Sequence, residues 1–178
     1  MPAHIRSLHT ALTAEAEAAR RRAMLVHPSN FKRIQSGSDA AMKAQELITR
    51  FDCLHKELMG QGIPDNEART EVARIAAREV WDGFASQLRQ HRTDGHQMDA
   101  SVLAVALGSI QCMALPLARH PGDLVSASSA VSKARQRLRF NGGLMDRLHT
   151  QGNPAFSDAD ITLQSLEVFL AQPTSQAA

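Results

Sequence analysis

Tyrosine is absent from this sequence and tryptophan occurs once. With six phenylalanines, aromatic residues make up only 4% of the 178 residues. β-Branched side chains are also scarce, with eight Val and seven Ile against 28 Ala. Strands draw on β-branched and aromatic residues, whereas Ala is the best helix former. The shortage argues against a β-sandwich or barrel and predicts an all-α chain. It also removes the aromatic stacking platform that single-stranded nucleic acids use.

Cysteine is nearly missing. Cys53 and Cys112 make neither a disulfide framework nor, alone, a zinc site. Both fall inside apolar helical patterns and are expected as buried free thiols. An excess of one charge is lacking too: 20 basic residues face 18 acidic ones, a net charge of +2. That balance does not by itself imply a polyanionic partner. The basic side is 16 Arg and four Lys. Arginine suits binding surfaces because it bonds bidentately and stacks, but coding bias explains the same excess.

The common catalytic signatures are absent as well: no GxxxxGK[ST], HExxH, GxSxG or CxxC occurs. The chain therefore reads as non-enzymatic and without a cofactor, although a site assembled from distant residues would leave no such mark.

What is present is an ordinary globular balance, 43% hydrophobic and 21% charged. The length fits one domain. Residues 1–30 read as a helical arm, 31–172 as the helical domain and 173–178 as a flexible tail. The arm's helix, about 7–26, carries a thin stripe of Leu8, Leu12, Ala16 and Ala19. Its acids come early and Arg20, Arg21 and Arg22 late, as the helix dipole prefers. No apolar signal core precedes it, so a cytoplasmic location is expected. Glu15 is the first acid, a pattern that uncleaved export signals and organellar leaders share.

Ile48, Phe51, Leu54, His55 and Leu58 recur at helical spacing and predict a helix over about 39–59, with Ser38-Asp39 as its cap and 31–37 as a connector. GQG at 60–62 stops it. Ala68, Val72, Ile75, Ala76, Val80, Phe84 and Leu88 predict a second helix over about 66–91, capped by Asp65. Its charged residues, Arg69 included, are assigned to the solvent side, where Arg78 and Asp82 form an i,i+4 pair. Residues 100–118 contain no charge across 19 positions. By length they span a bilayer, but their Ser, Gln and Pro fit the central helix of a soluble bundle better. A membrane partner is accordingly disfavoured. A further helix is expected over 123–140, ended by Asn141-Gly142-Gly143. A short one over 144–149 and a last one capped by Ser157-Asp158 complete a bundle of six or seven helices around an apolar centre.

Four groups of residues carry possible chemistry. His91, Asp94, His96 and Asp99 are the densest metal-capable set, but their spacing matches no rigid ligand scheme and a solvated loop holds such residues routinely. Cys53 and His55 lie about 200° apart around one helix and do not face each other. His55 reads as a hydrogen-bonded boundary histidine. Arg20, Arg21 and Arg22, together with Lys133, Arg135, Arg137 and Arg139, would grip phosphates if the fold joined them, with a steep salt dependence. Both clusters equally suit the last turns of their helices. Residues 71–92 lack the turn glycine of a helix-turn-helix. Trp81 belongs in the core beside Val80 and Phe84, or, if exposed, anchors a partner. Met98, Met113 and Met145 read as gap fillers.

Wide amphipathic faces without catalytic motifs favour a protein-interaction module, an adaptor, regulator or secreted accessory factor. Leu8, Leu12 and Trp81 are its candidate contacts. Nucleic-acid binding through the arginine clusters is the alternative, and membrane association through 100–118 the third.

Overall fold

The apolar spacing around Ile48 and Phe51 builds the first of five helices in the computed structural model, which describes residues 31–148 and 154–174. The helices are α1 (Phe31–Gly60), α2 (Asp65–Thr93), α3 (Gln97–Arg119), α4 (Leu124–Leu148) and α5 (Pro154–Leu170). Among the described residues there is no strand. The expected helix over 7–26 lies outside them.

Boundaries move where turn residues proved weaker than the helices around them. The connector expected over 31–37 is part of α1, and Ser38-Asp39 lies inside that helix. Only Gly37 opposes helix there, at about 1 kcal/mol relative to Ala. Asp65 is not a cap but the first residue of α2. Pro64 precedes it without a side-chain bond to the helix end. α3 starts at Gln97, so Asp99 stands buried in its first turn. Asp123, expected as the first residue of a helix, instead caps α4, accepting the Ser126 N–H at 3.0 Å. α5 opens at Pro154, a residue suited to a first turn, ahead of the expected cap at 157–158.

The pair Gly142-Gly143 does not end α4, which continues to Leu148 and absorbs the short helix expected beyond it. A Cβ on Gly142 would stand 3.4 Å from Cβ and Cδ1 of Phe156. The glycine lets α4 approach α5 closely instead of stopping the chain.

Side-chain pairs between helices show the directions. Arg50 with Glu79 and His55 with Asp65 make α1 and α2 antiparallel. Ser132 with Glu167 and Arg139 with Asp160 do the same for α4 and α5. α2 packs on all four other helices, whereas α3 packs chiefly on α2 and α4. The centre is therefore α2, not the apolar 100–118 segment. Its inner face is rich in Ala (Ala68, Ala73, Ala76 and Ala77, all buried) and admits neighbours on several sides. Phe51, Phe84, Leu103, Ile110, Met113, Leu138, Met145, Leu163, Leu166 and Phe169 fill the space between. Phe84 meets Phe156 edge-on, with ring centroids 4.9 Å apart.

α3 is held by Leu103, Ala106, Ile110, Met113 and Leu117 on its inner side. By length and composition it passes as a membrane span, yet only 39% of its most apolar window is buried. Crossing a bilayer would strip those five residues from α2 and α4, and burying each large one contributes roughly 1.5–3 kcal/mol. Met98, expected as a gap filler, is exposed, while Met113 and Met145 are buried. Cys53 and Cys112 are exposed rather than buried.

Candidate interaction groove

Trp81 is set by the period of α2. Its neighbours Val80 and Phe84 turn into the core. Trp81 stands at the edge of that stripe, 37% exposed. The antiparallel run of α3 faces it, and the two helices leave a groove of about 430 Å³. Ala77, Trp81, Ile110, Ala114, Leu115 and Ala118 form its apolar walls, and Arg74, Arg78 and Gln111 its polar rim. Arg78 reaches over the indole, 5.8 Å from its centroid, and pairs with Asp82 at 3.4 Å. Arg74 is held by Glu71, its Nε donating at 2.8 Å. That bond raises the hold of its guanidinium on the proton above the ordinary arginine range. The lining carries no carboxylate, imidazole or thiol. It can bind an apolar group beside a cation; it holds no acid, base or nucleophile. A second depression of about 390 Å³ lies between α2 and the start of α5, around Gly83 and Ala155.

The metal-capable set is only partly brought together. His91 Nδ1 and Asp99 Oδ2 stand 3.8 Å apart, and the His91 and His96 rings meet edge-on at 5.7 Å. Asp94 instead accepts the Gln90 amide at 3.0 Å. Among the described residues no three His, Cys, Asp or Glu side chains are placed to hold a metal ion. Because α3 begins early, Asp99 is drawn into the helix interface and away from the loop.

Of the two arginine clusters, only the second falls within the described residues. Arg20, Arg21 and Arg22, like Leu8 and Leu12, lie outside the described residues. Arg135 donates to Asp160 at 2.9 Å and to Glu167 at 2.8 Å, and Arg139 shares Asp160 at 3.1 Å. Burial works against the charge on Arg135, but the pairs with Asp160 and Glu167 together outweigh it and raise its hold on the proton. Arg135 and Arg139 are thus a clasp between α4 and α5. Lys133 and Arg137 remain exposed on the other side of α4.

The densest polar cluster was missed at Arg69, which is buried rather than solvated. It is only 3% exposed. Its Nε reaches Asp65 Oδ1 at 3.2 Å, and its two terminal nitrogens donate to the carbonyls of Phe169 (3.3 Å), Gln172 (3.0 Å) and Pro173 (3.0 Å). His55 Nε2 lies 2.6 Å from the same Asp65 oxygen, which agrees with its reading as a hydrogen-bonded boundary histidine. Arg69 caps the open carbonyls of α5 and ties that end to α1 and α2. It also pins the chain as far as Pro173, the first residue of the expected flexible tail. Asp52, near this cluster, holds its proton above the ordinary carboxylate range, chiefly through burial and against Lys56 and the Gln172 amide. No sequence signal marks Arg69: it sits beside Ala68, Thr70 and Val72, which are buried, but its carbonyl partners are not written in the sequence.

No protein-family model, curated protein or solved structure matches this chain.

Proposed function

We propose that this protein is a non-enzymatic interaction module that receives a helical segment of a protein partner in the α2–α3 groove, with Trp81 as the anchor. The observation that carries this reading is the half-exposed indole beside an apolar groove. Tryptophan is enriched among residues that dominate binding energy, because it offers a large apolar body and a polar tip. The groove spans about two turns of each helix, roughly 10 Å, and matches apolar anchors at i, i+3 or i+4 on a docked helix. Arg74 is occupied by Glu71, whereas Arg78, whose side chain stays 75% exposed beside Asp82, favours a partner segment with an acidic flank. Leu8 and Leu12 on the N-terminal arm belong to the same reading as a second contact. The nucleic-acid alternative is weakened, because Arg135 and Arg139 are engaged with α5.

The test is capture of partners from native extract on the full chain, with and without nuclease, followed by titration of the purified partner. Trp81 is the only tryptophan, so its emission reports the groove directly. A shift on binding, with affinity lowered at least tenfold by Trp81→Ala, is expected. Unchanged emission and unchanged affinity would overturn the groove assignment. Deleting residues 1–30 separates the arm: lost binding with the melting temperature kept within a few degrees assigns contacts to Leu8 and Leu12, and retained binding removes them from the interface.

A further inference from the structure

The outward side of α3 carries Met98, Ser101, Val105, Gly108, Cys112 and Leu115, spaced alternately by three and four residues. All six are exposed. The steps keep them within about 100° of the helix surface over roughly 26 Å. Met98, Val105 and Leu115 are 69%, 59% and 45% exposed. No charged side chain interrupts this ridge. A contiguous uncharged ridge of this length on an otherwise charged protein calls for a covering surface.

The margins identify that surface. On α2, Arg78 lines the α3 side of the helix. Arg89 and Arg92 lie within about 60° of it around the axis, about three to four turns further along. On α4, Arg135 faces α5, and Lys133 and Arg137 point the opposite way, toward the α3 side. Arg119 closes the far end of the ridge. Arg89, Arg92, Arg119, Lys133 and Arg137 are exposed and have no ion-pair partner among the described residues. Of the acids bordering the same face, Glu71 pairs with Arg74 and Asp82 with Arg78, while Glu67 is exposed beside the Gly122 turn at the far end of the ridge. Asp94 and Asp123 lie beyond the two ends, bonded to Gln90 and Ser126.

We propose that this face seats the protein peripherally on an anionic phospholipid surface, with the α3 ridge in the headgroup–acyl boundary and the flanking cations on lipid phosphates. An apolar helical face bordered by Arg and Lys is the composition that lies in such an interface. Pairing with a second copy through α3 would set basic margins against basic margins, which opposes association. α3 lies on the bilayer without crossing it, since its inner side remains packed on α2 and α4. The ridge meets the groove at Leu115 and Arg78, but Met98 and Val105 lie outside the groove lining, so a change at Val105 tests the ridge separately.

The experiment uses the full chain and vesicles of phosphatidylcholine with 30% phosphatidylserine, against vesicles of phosphatidylcholine alone. Cys112 sits on the ridge and Cys53 on α1, both exposed, so each can carry an environment-sensitive dye in a variant lacking the other (Cys53→Ser or Cys112→Ser). Expected are co-sedimentation with the serine-containing vesicles only, weakening with salt, and a blue shift for dye on Cys112 but not on Cys53. Val105→Asp, a change at an exposed position, should abolish binding. Lys133→Glu with Arg137→Glu should weaken it at least about tenfold, since each cation near an anionic leaflet contributes about that order. Both variants keep their helical circular dichroism and melting transition. No sedimentation at millimolar lipid overturns the proposal. So does equal binding to the neutral vesicles, or a Cys112 shift that appears without lipid and grows with protein concentration, which would assign the ridge to a second copy.

Discussion

Replacing Arg69 by Met should destabilise the protein by about 3 kcal/mol, toward the lower end of what removing one partner of a buried pair costs. The side chain is almost fully buried, and Met keeps most of its volume, so a cavity contributes little. What remains is electrostatic and polar. Asp65, 15% exposed, loses a cation, and the carbonyls of Phe169, Gln172 and Pro173 lose their donors. Each carbonyl left without a partner adds roughly 1 kcal/mol or more, reduced where water reaches it. For a chain of this size about 3 kcal/mol corresponds to roughly 6–12 °C in melting temperature. Urea unfolding followed by circular dichroism measures it, with the slope against denaturant checked for constancy. Arg69→Lys should recover only part of the loss, because one ammonium cannot serve carbonyls that a planar fork spans. A loss below about 1 kcal/mol for Arg69→Met, at unchanged slope, would refute the view that this residue closes the end of α5.

Two further outcomes are expected. Asp52 has a folded pKa above the unfolded 3.8, mainly through burial, so its charged form destabilises the fold. Its contribution falls as pH rises from the unfolded value through the raised folded one, and stays unfavourable above it. Asp52→Asn should therefore be the more stable protein at pH 7, with the difference shrinking as thermal melts are moved below pH 4; a difference that grows in acid would contradict the assignment. Gly83 lies in the interior of α2, and an added Cβ meets nothing within 4 Å, so Gly83→Ala should stabilise by about 0.5–1 kcal/mol. A destabilised Gly83→Ala in chemical denaturation would show that α2 packs there against something further.

The fold class was legible because composition and period act locally. Abundant Ala, scarce β-branched residues and the stripes through Ile48–Leu58 and Ala68–Leu88 specify amphipathic helices whatever surrounds them. The ends of those helices were less legible. Gly142 has the look of a helix stop, and only the approach of Phe156 to 3.4 Å shows that it serves packing. The choice of central helix was misplaced for a related reason. Lack of charge in 100–118 marks a segment able to be buried on all sides, but the Ala-rich face of α2 fits against four neighbours and takes that place.

The site was less visible still. Trp81 was recognisable as the residue to watch, since its neighbours fill the core stripe and leave it at the edge. Whether that edge was covered depended on how far α3 stands from α2. Arg69 looked like any other charge on α2, because its partners, the carbonyls at 169–173, are a hundred residues away and backbone carbonyls leave no trace in a sequence. Likewise, nothing local separates Arg135 and Arg139, which clasp Asp160, from Lys133 and Arg137, which face outward. The sequence by itself determined which segments are helical and which faces are apolar, since both follow from the 3.6-residue period. Only the tertiary structure decided which apolar faces meet each other and which charges are neutralised, because those depend on distances between residues far apart in the chain.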